Sequence, residues 1–253
     1  MKTKPILVIS VLLILASGIL YFKRPRQNLT GAPPYGQNEN DIPPLTPWQR
    51  LQQNWQRPDG PPRVGLQVGH LNSSELPEEL KRLRNNGGAT AGGYTEVEVN
   101  QIIATKIGEV LNKQGIEVDI LPATVPPNYW ADVFIAIHAD GSTDTGTSGF
   151  KIASPWRDLT NKADQLVQQL ESAYQEKTKL KIDPNITRNM RGYYAFSWWR
   201  YNHAIHPMTT AAIVETGFLT NWSDRQMLTQ NPDLPAEALG QGIVSFLKAE
   251  EII

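Results

Sequence analysis

The sequence predicts an α/β domain over residues 63–253, with a mostly parallel sheet covered by helices on both faces. Two observations lead to this fold class. Short apolar runs that are typical of buried strands alternate along the chain with longer segments whose apolar residues recur at helical spacing. Hydrophobic residues make up 40% of the chain and charged residues 19%, which is ordinary for a globular domain with a sizeable core.

The expected elements begin with a strand, a long loop and a helix. The predicted strands are 63–69, 116–121, 131–138, 150–153, 193–201 and 209–215. The predicted helices are 95–115, 158–175, 223–230 and 235–252. The helix at 95–115 has the clearest signal, because Thr95 and Glu98 form a capping-box pattern at its start and Gly115 suits its end. The polar, glycine-rich segment 71–93 is expected to be a loop with a helical turn around 77–83.

Residues 1–26 are expected to form one transmembrane helix that anchors the chain. Between Lys4 and Lys23 there are 18 residues without a charge, and as a helix they would span roughly 27 Å, close to the hydrocarbon thickness of a bilayer. A cleaved signal peptide is the alternative. Basic residues flank both ends and do not decide the orientation, but a short N-terminal tail usually stays inside, which places the domain outside the cytoplasm.

A proline-rich tether is expected over residues 27–62. Its polar residues and repeated prolines cannot bury enough apolar surface to fold alone. Within it, residues 48–55 could form a short helix that docks on the domain.

Composition excludes several classes of function. The formal net charge is −1, which gives no reason to expect nucleic-acid binding. The chain contains no cysteine, so disulfides, a cysteine-type zinc site, a thiol nucleophile and a lipid anchor on cysteine are all excluded.

Ionisable residues follow three of the predicted strands: His70, His138 and Glu215. Because ligands of open α/β sheets bind beyond the carboxyl ends of the strands, these residues are expected to converge at one edge. For each histidine alone, a structural hydrogen-bonding role is the alternative. Two histidines and one carboxylate are the ligands of a catalytic zinc site with water in the fourth position, and a further carboxylate such as Glu215 can then move the proton.

The carboxylate ligand is either Glu96 or Glu98, which both lie in the first turn of the helix at 95–115. Glu98 has a role in the capping box, whereas Glu96 has none, so we favour Glu96 as the ligand. Favourable charge against the helix dipole is the alternative explanation for Glu96.

Four stretches of the chain resemble the zinc-dependent N-acetylmuramoyl-L-alanine amidases, the family of bacterial autolysins and cell-division amidases. They are VGLQVGH (64–70), TEVEVN (95–100), VFIAIHAD (133–140) and AAIVETGFLTN (211–221). The most specific is VETGFLTN, since members typically carry a Glu-x-Gly-Phe-aliphatic-Ser/Thr-Asn run there. With the final helix, the resemblance covers about residues 63–250.

The resemblance implies that Zn²⁺ is bound by His70, Glu96 and His138, and that Glu215 is catalytic. It implies hydrolysis of the amide between N-acetylmuramic acid and L-alanine in peptidoglycan by zinc-activated water. Together with the expected anchor at 1–26, this predicts a cell-envelope enzyme, held in the cytoplasmic membrane with its domain in the periplasm or wall space. Segment 71–93 could act as a lid, as regulatory segments do in some relatives. The sequence does not decide between constitutive activity and activity that needs an activator protein.

Three further residues are candidate substrate contacts: Asn100, Asp140 and Arg191. Asn100 could instead support the site by hydrogen bonding, and Arg191 could pair with a substrate carboxylate or with a surface acid. The chain departs from the family at Leu71-Asn72, where two glycines are usual, and at Asp140, where asparagine is usual. Asp140 therefore adds a negative charge near the expected metal.

Two other functions remain open at this point. The chain could be a zinc hydrolase of another amide or peptide bond. It could also be a wall-binding module that kept the fold and lost turnover, although a decayed enzyme is expected to have lost at least one of the four key residues, and all four are present.

Overall fold

A five-stranded, mostly parallel sheet forms the centre of the domain. The computed structural model describes residues 44–253. The strands are β1 (Arg63–Val68), β2 (Thr90–Ala91), β3 (Tyr94–Thr95), β4 (Glu117–Leu121), β5 (Val133–Asp140), β6 (Lys151–Ala153) and β7 (Thr210–Phe218). The sheet has the order β4-β1-β5-β7-β6, and only the edge strand β6 runs antiparallel to its neighbour. Strands β2 and β3 form a separate two-stranded hairpin.

Three long helices cover one face of this sheet. The helices of the described residues are α1 (Pro47–Asn54), α2 (Glu96–Asn112), α3 (Ala163–Thr178), α4 (Arg188–Arg191), α5 (Trp222–Gln230) and α6 (Asp233–Ala249). Helices α2, α3 and α6 turn their apolar faces to alternate side chains of the strands, such as Leu66, Ile135 and Val214, which are fully buried. Each such Leu, Ile or Val contributes about 1.5–3 kcal/mol by burial. The predicted α/β class with a mostly parallel sheet is therefore confirmed.

The opposite face of the sheet has no long helix within residues 44–253. Short 3₁₀ turns at Ser73–Glu75, Glu78–Leu83 and Tyr194–Phe196 cover it, together with the four-residue helix α4. The expectation of helices on both faces therefore holds only if these short helical segments are counted as the cover of the second face. The physical reason is that these covering segments are too rich in glycine and polar residues to carry helical apolar periodicity.

The strand predicted at 193–201 is wrong. The amide of Phe196 donates to the carbonyl of Tyr193, and the amide of Ser197 donates to that of Tyr194, so this segment begins with a 3₁₀ turn. The side chains from Tyr194 through Ser197 are all buried, whereas a strand with one solvent-facing side would alternate. Aromatic and β-favouring composition was outweighed by packing beneath the sheet.

Part of the expected tether is packed on the domain. Residues 45–253 form one compact unit, which includes residues 45–62 of the segment expected to be a linker. Thr46 caps α1 through a capping box, and the predicted short helix at 48–55 is confirmed. It docks through the Trp48 ring, 4.5 Å from that of Trp198, and further along Arg57 binds the buried Asp132 carboxylate at 2.6 and 2.8 Å.

The expected membrane anchor at 1–26 and the first part of the tether lie outside the described residues. Among the helices of residues 44–253, none combines the length and apolar character needed to cross a membrane.

Candidate metal centre

Three side chains that are distant in sequence meet at the carboxyl end of the central strands. His70 lies two residues beyond β1, Glu96 is the first residue of α2, and His138 lies within β5. Their ligand atoms all lie within 4.8 Å of one another. The Glu96 Oε1 atom is the centre of the group, 2.9 Å from His138 Nδ1 and 3.3 Å from His70 Nε2. This set of two imidazoles and one carboxylate could hold a metal ion.

Backbone and side-chain donors fix the Glu96 carboxylate. The side chain is buried, and its Oε2 accepts a hydrogen bond of 2.7 Å from the Ala89 amide. The Ala139 amide and the Asn100 amide group donate to Oε1 at 3.3 and 3.4 Å. Because all of these donors come from different parts of the chain, the fold holds the carboxylate in place before any metal arrives.

Glu98 faces away from this group. Its carboxylate accepts hydrogen bonds from the Thr95 amide and hydroxyl at 2.9 and 2.8 Å, and the Thr95 hydroxyl accepts from the Glu98 amide. The predicted capping box is therefore confirmed. Glu98 is exposed and engaged in capping the start of the helix, which leaves Glu96 as the carboxylate beside the histidines.

The proton on His70 can be assigned from its hydrogen bond. Its Nδ1 lies 2.8 Å from the Asn86 carbonyl oxygen, and a carbonyl can only accept. Nδ1 therefore carries the proton, and in the neutral ring the lone pair is on Nε2, the atom that faces Glu96.

Two tyrosine hydroxyl groups in a hydrogen-bonded chain indicate which ring nitrogen of His138 carries the proton. Tyr194 donates to the Ala123 carbonyl, and Tyr193 donates to the Tyr194 oxygen at 3.3 Å. The Tyr193 oxygen is then free to accept from His138 Nε2, which lies 3.3 Å away. In the neutral ring this places the lone pair on Nδ1, again facing Glu96. Two lone pairs and a carboxylate that face one another require a cation between them, either protons or a metal.

Without a metal, protons satisfy this arrangement. Burial disfavours the charged form of Glu96, but hydrogen bonds from His138 and His70 outweigh burial and lower the pKa of the carboxyl well below its usual value. Burial likewise lowers the pKa of His70, but the hydrogen bond and charge of Glu96 outweigh it, so that the net shift is upward. A metal would replace these protons, so binding should weaken as the pH falls.

Two close backbone approaches explain the glycines around the site. A Cβ atom at Gly69 would lie 2.5 Å from the His138 ring, and one at Gly88 would lie 2.2 Å from the Glu96 carboxylate. Gly88 also has φ +76°. Between them, His70 has φ 65°, an uncommon conformation for a residue with a side chain. The backbone of the turn after β1 is therefore strained at His70, the residue whose imidazole it directs toward Glu96.

Glu215 lies directly beside His138. The two residues are paired in register between the parallel strands β5 and β7, so their side chains emerge on the same face of the sheet. Glu215 is half-buried. Loss of water raises the pKa of its carboxyl well above the usual value, and the negative charges of Glu96 and Asp140 raise it further. The shift favours the protonated form of this carboxyl, which suits a group that exchanges protons.

Lys151 is a residue of this neighbourhood that sequence reasoning missed. It pairs in register with Glu215 from the other side, on the edge strand β6. Its side chain is 5% exposed, and its Nζ lies 2.7 Å from Asp140 Oδ2 and 2.9 Å from Asp183 Oδ2. Lys151 therefore offsets part of the extra negative charge expected at Asp140 and shares its own charge with Asp183. A lysine inside a short predicted strand was the one available signal.

Replacing Lys151 with methionine is expected to lower the free energy of unfolding by about 3 kcal/mol, because two poorly solvated carboxylates lose their counter-charge. Urea denaturation of the metal-free protein measures this loss. The matched control is Lys162→Met, since Lys162 forms a much more exposed ion pair with Glu250 and should cost less than about 1 kcal/mol. Equal losses in the two variants would contradict the assigned role of Lys151.

The three candidate substrate contacts lie in different surroundings. Asn100 is fully buried and donates to Glu96 and, at 3.5 Å, to the Gly69 carbonyl, so it is placed to hold the site rather than to touch substrate. Asp140 is half-buried beside Lys151. Arg191 is exposed, and its guanidinium donates to Ser154 Oγ at 3.4 Å.

A cavity of about 410 Å³ opens from the two histidines. His70 and His138 line it, and Arg82, Asn86 and Tyr193 are among the other residues of its lining. Its walls come from the 71–93 segment and from the 189–194 segment, which cover the sheet face without long helices. This volume lies within the range of small-molecule sites.

The chain matches a known protein family over most of this domain. Residues 64–245 match the family described as N-acetylmuramoyl-L-alanine amidase. No curated protein is similar enough in sequence to count as a match.

Solved amidase structures share the fold. An N-acetylmuramoyl-L-alanine amidase from Clostridium difficile 630 is 19% identical, with 76% of this chain and 100% of that chain covered and a TM-score of 0.54. The amidase AmiC2 of Nostoc punctiforme is 16% identical, with 76% and 99% covered and a TM-score of 0.53. The amidase Ami1 from Mycobacterium abscessus is 20% identical, with 74% and 98% covered and a TM-score of 0.54. Since the family match spans well over half of the sequence, this chain belongs to the N-acetylmuramoyl-L-alanine amidase family.

Proposed function

We propose that this protein hydrolyses the amide between N-acetylmuramic acid and L-alanine in peptidoglycan as a zinc enzyme, with His70, Glu96 and His138 as metal ligands and Glu215 as the catalytic acid–base. The enzyme class and the bond follow from the family. The observation that carries the proposal for the site is the convergence of the three ligand atoms, within 4.8 Å of one another, beside the cross-strand neighbour Glu215.

Zinc is the metal that this donor set favours. Two neutral imidazoles and one carboxylate are the ligands of many catalytic zinc sites, and harder cations such as Mg²⁺ and Ca²⁺ prefer sites made of oxygen atoms alone. When bound, zinc supplies a Lewis acid that polarises a carbonyl and lowers the pKa of water. The hydrogen bonds of His70 to Asn86 and of His138 to Tyr193 would keep both rings in the tautomer that binds a metal.

Glu215 would move the proton. Its raised pKa suits a carboxylate that takes a proton from the attacking water and then delivers it to the departing L-alanine nitrogen. The amine leaves only after it is protonated, so the same residue would act as base and then as acid.

The inactive alternative is the less favoured one. All four key residues are present, and the cavity beside them is open to a substrate. A wall-binding module without turnover would have no need for two hydrogen-bond networks that orient the histidines. Hydrolysis of a different amide or peptide bond remains the alternative that product analysis distinguishes.

For the location, we propose the cell envelope, with the chain anchored by residues 1–26 and the domain in the periplasm or wall space. The support is the uncharged 18-residue segment between Lys4 and Lys23 and the location of the substrate, which lies outside the cytoplasmic membrane.

The decisive experiment incubates the purified full-length protein, in detergent, with isolated peptidoglycan sacculi. We expect release of free stem peptides that begin with L-alanine, loss of release after treatment with a chelator, and recovery on adding one equivalent of zinc. Mass spectrometry of the products distinguishes cleavage at the sugar from cleavage within the peptide. Zinc-loaded, folded protein that releases nothing from sacculi or muropeptides would refute the proposal, and peptide-internal products would favour the other hydrolase.

A further inference from the structure

We propose that Arg82 binds a carboxylate on the peptide portion of the substrate, which would make the enzyme selective for stem peptides with a free acid near the scissile bond. This inference depends on the proposed function, because it assigns a recognition role within the same cavity.

The first observation is the position of Arg82. It lies near the end of the 3₁₀ turn Glu78–Leu83 and lines the cavity that also contains His70 and His138. Apart from these two histidines, Arg82 is the one basic side chain among the residues that line the cavity in the described part of the chain. A substrate whose amide lies at the histidines would share this cavity with Arg82.

The second observation is that Arg82 uses few of its N–H donors within the described residues. One Nη2 hydrogen bond of 2.9 Å goes to the hydroxyl of Tyr201. Within residues 44–253, no carboxylate lies in ion-pair distance of Arg82, in contrast to its neighbours Lys81 and Arg84, which both pair with Glu78. A guanidinium has five N–H donors, so a neutral anchor leaves most of them available.

The neutral partner matters for the chemistry. Tyr201 is buried and holds one side of the guanidinium without cancelling its charge. A positioned arginine with a full charge is the side chain best suited to grip a carboxylate through two parallel hydrogen bonds.

The lining of the cavity therefore combines two kinds of chemistry. The histidines belong to the ligand group for the reacting carbonyl, and Arg82 adds a cation to a lining that also includes apolar residues such as Leu76 and Leu83. A short peptide that carries both an apolar side chain and an acid matches this lining. The ligand class is thus an acidic peptide, and a sugar alone would leave the guanidinium unused.

The test compares two soluble probes that differ only in charge: N-acetylmuramoyl-L-alanyl-D-glutamate and its diamide. For the native full-length protein loaded with zinc, we expect kcat/KM to be roughly 10- to 100-fold higher for the acid than for the diamide, the usual value of a charge-assisted hydrogen bond. In Arg82→Gln this ratio should fall to about one, mainly through a higher KM for the acid, and Arg82→Lys should retain part of it.

The control is Lys81→Gln, which removes a charge from the same 3₁₀ turn at an exposed ion pair and should leave the ratio unchanged. Because the ratio is measured within each variant, a smaller folded or zinc-loaded fraction cancels. Arg82→Gln with the native ratio would overturn the inference while both probes are still cleaved. If the native protein cleaves neither probe nor sacculi, the proposed function itself fails, and this inference fails with it.

Discussion

Glu215→Gln is expected to lower kcat on muropeptides on the order of 1,000-fold, because general acid–base groups contribute 100- to 10,000-fold to such reactions. Glutamine keeps the size of the side chain and its place beside His138 in the paired strands. It can neither take the proton from water nor return it to the leaving nitrogen. Since Glu215 is not in the ligand group, the zinc content should stay at one equivalent, and KM should change little.

Two measurements make this result specific. Zinc content by atomic emission shows whether the metal centre has survived, and thermal unfolding shows whether the fold has. The matched control is Glu171→Gln on α3, since Glu171 is also half-buried with a pKa raised by burial but lies away from the ligand group. Native turnover in Glu215→Gln would remove Glu215 from the mechanism. Loss of zinc in that variant would make it part of the metal site instead.

The sequence predicted the sheet and its helices because burial imposes clear periodicities on them. The apolar run that became β5 and the spacing that became α2 both reflect contacts with one continuous core. Local chemistry also predicted the role of Glu98, since a capping box involves residues only three positions apart. Signals of this kind lie within one helix or strand, so a single sequence is enough to predict them.

The surroundings of the site could not be predicted in the same way. Tyr193 orients His138 across 55 positions of sequence, and it does so from a segment that the composition assigned to a strand. Lys151 reaches Asp140 only because β6 is antiparallel to β7 and aligns Lys151 with Glu215. Register and strand direction are tertiary properties. A three-residue strand is too short to show a pattern of alternating residues from which either could be predicted.

These missed residues share one role, which is to fix charge and protons around the predicted ones. Tyr193 and Asn86 decide which nitrogen of each histidine is free, and Lys151 offsets part of the charge of the acid that departs from the family pattern. In the proposed mechanism the predicted residues carry the reaction, and the missed ones set the electrostatic conditions under which it would run.

The choice between Glu96 and Glu98 leads to the second large effect. Glu96→Gln is expected to weaken zinc binding more than about 100-fold, since the loss of outer partners alone typically costs 10- to 100-fold, and to abolish turnover at stoichiometric zinc. An amide keeps an oxygen but loses the negative charge toward which both imidazole lone pairs point. Competition with a chromophoric zinc chelator measures the dissociation constant.

Glu98→Gln is the matched control, two residues away in the same first turn of α2. It should bind zinc and cleave muropeptides as the native protein does, with only a slight decrease in Tm, because its carboxylate contacts Thr95 and not the histidines. If Glu98→Gln lost zinc while Glu96→Gln kept it, the assignment of the ligand would have to be reversed. The experiment separates two neighbouring carboxylates by function because the helix cap already separates them in space. The carboxylate that caps the start of the helix cannot also face the histidines.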